Sequence, residues 1–408
     1  MDVFHPAYAI LITVFAMTVF FVANLKAVTP LPHGRFTSID GLRGYLAFFV
    51  FLHHSSIWYF YIHTGTWKAP ESHLYNHLGK ASVSMFFMIT SFLFYTKLLD
   101  TRGRIFDWPA FFLSRFFRLV PLYFFAMGGL FFIVAIVSKG VLHDSILWLT
   151  RCILTWLSFT ILDANLINGI KAPIIMAGVT WSLPYEWYFY FSLPLLAATV
   201  GVRAGWSFIF LSAATIAFAS TRGLTLHYAY VFLAGITAAL LVRHERFQQF
   251  STTRGASILV VISVLSLLLF PTVNRIEPLI LLTVAFSLIA GGTNVFGILS
   301  CATSRKFGDL AYSIYLLHGM LLFITFNFLV GLDSMKRVSP TIYWLIVATI
   351  VPILLIVCSL TYRFIERPGM KFTPRVLEFW RKPRMRVDKT KLVPEISDTP
   401  IPDAKRRP

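Results

Sequence analysis

Runs of about 17 to 22 mostly apolar residues, with several shorter ones, recur along almost the whole chain. At about 1.5 Å per helical residue, a run of that length crosses roughly 30 Å of hydrocarbon. They fall at 7–24, 42–62, 82–99, 117–137, 184–200, 206–220, 228–242, 256–270, 279–293, 310–331 and 342–361. With 57% hydrophobic residues, only 13% charged and a mean hydropathy of +0.72, too little polar side chain remains to cover a water-facing surface. The pattern predicts an all-α polytopic membrane protein, a bundle of about eleven transmembrane helices.

A twelfth run, 146–162, carries Arg151 near its start, and its Trp148 and Trp156 suit an interface better than a bilayer centre. Charge arbitrates. If this run stays on the surface, one side of the membrane collects 27 of the 36 Lys and Arg and the other 9. If it crosses, the cluster Arg102, Arg104, Arg115, Arg118 opposes the basic C-terminal segment. The positive-inside rule therefore favours eleven spans, with the N-terminus periplasmic and the C-terminus cytoplasmic. The first run is expected to stay as an extra N-terminal span, because "MDVFHPAY" has no Lys or Arg and no small-residue cleavage site follows it.

A net charge of +18 does not imply nucleic acid here, since 13 basic residues against 6 acidic ones lie in 362–408, a juxtamembrane segment suited to anionic headgroups of the lipid bilayer. Its end, "KLVPEISDTPIPDAKRRP", reads as disordered. Cys152, Cys301 and Cys358 are scattered and suggest neither a disulfide framework nor a metal site. His73 and His77 stand at i, i+4 without an acid or thiol at ligand spacing, so no metal is expected there either. Oligomeric state leaves no trace in the sequence.

One span is conspicuously polar. In "SIDGLRGYLAFFVFLHHSS", Arg43 and His54 are eleven residues apart, about three turns plus 20° of rotation, so they share a stripe while His53 points about 100° away. Asp40 lies on the same stripe, and Gly44 and Ala47 leave room for a neighbouring helix or a ligand. Eleven residues rise about 16 Å, which takes His54 toward mid-bilayer if Arg43 sits at an interface. Ionisable groups at that depth usually face a cavity or a partner. The blander alternative is a hydrogen-bonded structural imidazole above a positive-inside anchor.

The stretch "IDGLRGYLAFFVFLHH" resembles the Arg-x10-His signature of the integral membrane acyltransferase 3 family, which includes O-antigen and exopolysaccharide O-acetyltransferases. Other pieces follow in that family's order. "SVSMFFMITSFLFY" is similar to its second-helix motif, with Ser84 near the usual acidic position and Thr90-Ser91 in place of Ser-Gly. "SRFFRLVPLYFF" matches its Arg-x-x-Arg element at Arg115, Arg118, Pro121 and Tyr123, and "TWSLPYEWYFYFSLPLL" its Trp-Ser-Leu motif at Trp181 and Glu186. "YVFLAGITAAL", "FGDLAYSIYLLHG" (Tyr315, His318) and "FIERP" extend the match to Pro368. The resemblance implies a ten-helix core, and the charge-derived topology arrives at the same ten once the first helix is set aside. The expected organisation is an extra helix in 1–30, a membrane acyltransferase domain in 31–368, and a basic, partly disordered cytoplasmic tail in 369–408.

The resemblance implies transfer from acetyl-CoA, as donor substrate rather than resident cofactor, to a surface glycan or its lipid-linked precursor in a bacterial inner membrane. Such transfer needs a base for the acceptor hydroxyl, a donor site and stabilisation of carbonyl charge. His54 is the expected base, an imidazole with an ordinary pKa near 6.5, or else a nucleophile that carries the acyl group. Arg115 and Arg118, with Tyr123 beside them, suit donor phosphates, which guanidinium groups grip bidentately. Arg43 would meet the donor's phosphates or thioester, oriented by Asp40. Glu186 is expected to begin its span from the periplasmic side, where Trp181, Tyr185, Trp187 and Tyr188 suit a sugar ring. His318, about 12 Å along its helix, either supports the site or is a core histidine. A proton-coupled transporter would also use buried His, Arg and Glu, though no convincing internal repeat accompanies them. Another acyl group or a small lipophilic acceptor would leave the same signature.

Overall fold

The computed structural model describes residues 2–24, 36–103, 106–163, 166–222 and 225–381. The 30/31 boundary, Lys26, Arg35, Arg104 and the tail from 382 onward lie outside the described residues. The chain is all-helical, with 79% helix and no strand among the described residues.

In order the helices are α1 (Pro6–Asn24), α2 (Thr37–Thr64), α3 (His73–Asp100), α4 (Trp108–Val137), α5 (Ile146–Leu157), α6 (Ala172–Ile175), α7 (Ser182–Thr199), α8 (Trp206–Thr221) and α9 (Leu226–Leu241). There follow α10 (Glu245–Ser251), α11 (Arg254–Ser266), α12 (Ile276–Gly291), α13 (Ala302–Asp309), α14 (Ala311–Ile324), α15 (Leu332–Met335), α16 (Pro340–Thr361) and α17 (Arg367–Arg381). Each of the eleven apolar runs coincides with a helix. By length and composition, five helical stretches suffice to cross a membrane: Pro6–Ala23, His73–Asp100, Trp108–Val137, Ala311–Leu329 and Pro340–Phe379. α2, which carries the polar seam, is not among them. With 12 residues, about 18 Å of rise, α5 is too short to cross on its own.

The helix starts follow ordinary capping chemistry. Asp107 accepts a hydrogen bond from Ala110 N (3.0 Å) at the start of α4, and Thr253 from Ala256 N (3.2 Å) at the start of α11. Ser339 precedes Pro340 and accepts from Ile342 N (3.4 Å), so α16 begins with a cap and a proline at its first position. Among apolar helices in a bilayer there is little hydrophobic drive to associate, and close contact depends on small residues. Gly308 of α13 lies so near α2 that a Cβ there would sit 1.8 Å from the Asp40 carbonyl oxygen. That contact fixes the end of α2 bearing Asp40 and Arg43 against α13.

The segment between α5 and α7 does not stay at the rim. Ala172, Ile174, Ile175, Met176, Ala177, Val179 and Thr180 are buried, and the Met176 backbone rests on Gly319 of α14, where a Cβ would come within 2.5 Å. α7 consequently starts inside the bundle. α1 packs on α16, with Tyr8 stacked on Trp344 (5.7 Å) and bonded to Thr341 (2.9 Å).

Candidate active site

Five elements enclose a cavity of about 100 Å³. α2 contributes Arg43, α3 Val83, Phe86, Phe87 and Thr90, α4 Arg115 and Arg118, α7 Ser182, Glu186 and Tyr190, and α14 Tyr312 and Tyr315. Three guanidinium groups thus line one cavity, a costly arrangement that persists only with compensation or for a ligand.

The compensation is partial. Glu186 interacts electrostatically with Arg115, Arg43 and Arg118, and accepts a hydrogen bond from Tyr190, one turn along α7. Arg118 reaches Glu366 (3.7 Å) and Met370 Sδ (3.1 Å), and fully buried Glu366 also accepts from Ser313. Arg115 lies over the Phe94 ring at 4.9 Å. Arg43 is half-buried and electrostatically coupled to Asp40, while its Nε is buried with no hydrogen-bond partner. Such a donor is costly to leave unmade and is available to an oxygen of a bound anion. Asp309, the last residue of α13, has its carboxyl pKa raised by burial, against the pull of Arg118 and Arg43.

Along α14, His318 follows Tyr315 by one turn, about 4.5 Å. Tyr315 lines the cavity, its hydroxyl bonded to Ser182 Oγ (2.8 Å) and Val179 O (3.0 Å). In the layer beyond it, His318 Nε2 lies 3.0 Å from His54 Nδ1, His318 Nδ1 lies 2.8 Å from Ile314 O, and His54 Nδ1 lies 3.0 Å from Val50 O. His318 is fully buried and His54 only partly so.

The structure departs from expectation at several residues. Glu186 does not stand on a far side: because α7 starts inside the bundle, it shares the cavity with the arginines. Tyr123 does not face that cavity; it is buried, donates to Trp156 O (2.5 Å) and stacks on Phe159 (4.2 Å), bracing α4 against α5. Ser84 donates to Lys80 O of its own helix (2.9 Å) and is absent from the cavity wall. Trp181 is 40% exposed and belongs to a ring cluster with Phe87, Tyr185 and Tyr228, whereas Trp187 is buried against Phe191 and Tyr190 and cannot offer a face to a sugar. His53 is wedged in packing, with Nδ1 2.7 Å from Tyr75 O and its ring against Gly79. His73 and His77 pair with the carbonyls of Leu268 (2.9 Å) and Phe270 (2.7 Å).

Sequence reading missed Tyr190, Ser182, Tyr312 and Glu366. Tyr190 had a signal in its i, i+4 spacing from Glu186, and Glu366 in being the lone acid of "FIERP".

An all-helical membrane protein with a polar, arginine-lined interior and a histidine pair beside it is the class these features define. The family model described as an acyltransferase domain, acyltransferase 3, matches residues 36–363. The chain belongs to that family and is a membrane acyltransferase. No curated protein and no solved structure gives a significant match.

Proposed function

We propose that the chain is a bacterial inner-membrane O-acetyltransferase. It takes the acetyl group of cytoplasmic acetyl-coenzyme A and delivers it to a hydroxyl of a surface polysaccharide or its lipid-linked precursor, with the O-antigen of lipopolysaccharide as the favoured acceptor. In this reading 31–368 is the catalytic domain, α1 an added helix, the eleven helical runs are the spans, and the C-terminal tail is cytoplasmic.

The observation that carries the reading is the pairing of an arginine-lined cavity with a histidine pair whose His318 lies one helical turn along α14 from the lining residue Tyr315. Arg115, Arg118 and Arg43 offer forked donors to the anionic phosphates of the donor. An extended arm such as pantetheine then takes the thioester from the arginine layer toward His54. As the acceptor oxygen attacks the carbonyl carbon, its proton passes to His54 Nε2. The tetrahedral intermediate collapses with cleavage of the C–S bond, and His54 returns the proton to the departing thiolate, giving ester and free thiol. Glu186 and Tyr190 hold the three guanidinium groups together, and the unpartnered Arg43 Nε is left to meet an oxygen of the donor.

The test is the surface glycan of cells carrying the parent chain or His54→Ala, compared by NMR for acetyl signals at matched protein level. The expected result is complete loss of the acetyl signal. Retained acetylation would remove His54 as the base.

A further inference from the structure

The hydrogen bonds around the histidine pair fix where its protons are. His318 Nδ1 faces the Ile314 carbonyl at 2.8 Å and His54 Nδ1 faces the Val50 carbonyl at 3.0 Å. A bare ring nitrogen at either position would oppose its lone pair to a carbonyl oxygen, so both Nδ1 atoms carry hydrogen. His318 Nε2 is then bare, and at 3.0 Å it accepts a second share of the His54 Nδ1–H. The one free lone pair on His54 is Nε2. With both rings neutral, no other proton arrangement avoids a clash of lone pairs.

We propose that His318 is a positioning residue for acyl transfer, which orients His54 through Nδ1–H and takes up part of the positive charge when His54 Nε2 accepts the acceptor's proton. The inference rests on the reading of His54 as base. In serine hydrolases a carboxylate performs this service for the catalytic histidine. Here the orienting group is neutral, which suits a low-dielectric site where an isolated carboxylate is costly to hold. Among the described residues, the titratable groups acting on His54 are His53 on its own helix and His318 on α14, with ring centroids at 4.9 and 5.1 Å. Tyr315 faces the pair from the cavity side, 6.4 Å from the His318 ring. None of these is a carboxylate. When Nε2 is protonated the Nδ1–H bond to His318 becomes charge-assisted, and an acceptor that is itself basic strengthens it further.

The experiment compares His318→Gln and His318→Asn in the full-length chain. The Gln amide oxygen reaches the position of Nε2, whereas Asn reaches only that of Nδ1, so the two amides differ in contact with His54. Inverted membrane vesicles of the acetylating strain are supplied with radiolabelled acetyl-coenzyme A, and acetyl incorporation into their own glycan is followed against pH. His318→Gln should retain activity within about tenfold of the parent, while His318→Asn should fall roughly 10- to 100-fold in kcat with donor KM unchanged. The acidic limb of the Asn profile should move to lower pH by about one unit, because protonated His54 loses its charge-assisted partner. Equal activity and equal limbs in the two variants, whether both high or both low, would overturn the role given to His318. A parent chain that incorporates no acetyl group, or a His54→Ala chain that does, sinks the underlying reading instead. Asn that fails to accumulate while Gln accumulates is checked with His318→Met, which fills the volume without an acceptor and is expected to show the same limb shift; an unshifted limb there overturns the proposal.

Discussion

At the scale of single residues, adjacent histidines have opposite duties. Helical rotation separates His53 from the seam that holds Arg43 and His54, and nothing in the rotation marks it as constrained. Its surroundings say otherwise, because Nδ1 meets the Tyr75 carbonyl and the ring fills the space that Gly79 leaves on α3. A Cβ at Gly79 would lie 2.4 Å from His53 Cδ2, with no room for the ring to retreat inside a buried helix pair. Gly79→Ala is expected to cost about 1–3 kcal/mol by overpacking, read as a lowered midpoint of thermal unfolding in detergent. Acetyl transfer per folded molecule should fall modestly as well, since the displaced His53 ring lies 4.9 Å from that of His54. An unchanged midpoint would show that the α2–α3 contact is looser than described.

At the scale of elements, the Arg118–Glu366 contact ties α4 to the turn that enters α17, where Gly369 also lies against Pro121 and the Phe117 carbonyl. Glu366 is fully buried, so Arg118 has a structural duty as well as the proposed one toward donor phosphates. Arg118→Met alone strands a buried carboxylate and is expected to destabilise by roughly 3–5 kcal/mol. Adding Glu366→Gln removes the stranded charge and should restore most of the folded protein, judged by size-exclusion profile. The double variant should still show a donor KM raised about tenfold or more, because one forked donor is missing. Recovery of both fold and KM would leave Arg118 with only its structural duty. This division was hidden in the sequence. The Arg-x-x-Arg spacing placed Arg115 and Arg118 near one face, but their partners come from Glu186 and Glu366, about 70 and 250 positions away. Likewise the apolar runs located the helices within a few residues, since period and length are local properties. The inward path of Ala172–Thr180 was not legible, because its burial depends on Gly319 far along the chain. For that reason the sequence sets Glu186 at the periplasmic start of a span, apart from the arginines whose cavity it lines; Tyr123, matched by motif alone, gives no local sign that it packs on Phe159.

At the scale of the whole molecule, orientation decides which substrate meets which end of the site. In the proposed orientation the loop 294–309 lies on the side that collects 27 of the 36 basic residues, the side that the positive-inside rule assigns to the cytoplasm. The proposed reaction requires the arginine-bearing ends of α2 and α4 to face that side, toward a cytoplasmic acyl donor. The chain carries its own reporter of this arrangement. Of its three cysteines, Cys152 and Cys358 are buried and Cys301, at the start of α13, is exposed. A membrane-impermeant maleimide should therefore label the protein in inverted vesicles and leave it unlabelled in intact spheroplasts, with Cys301→Ser abolishing the signal. Labelling of intact spheroplasts at Cys301 would invert the bundle. It would put the guanidinium layer on the periplasmic face, where no acetyl-coenzyme A is available, and the direction proposed for acyl transfer would fall with it.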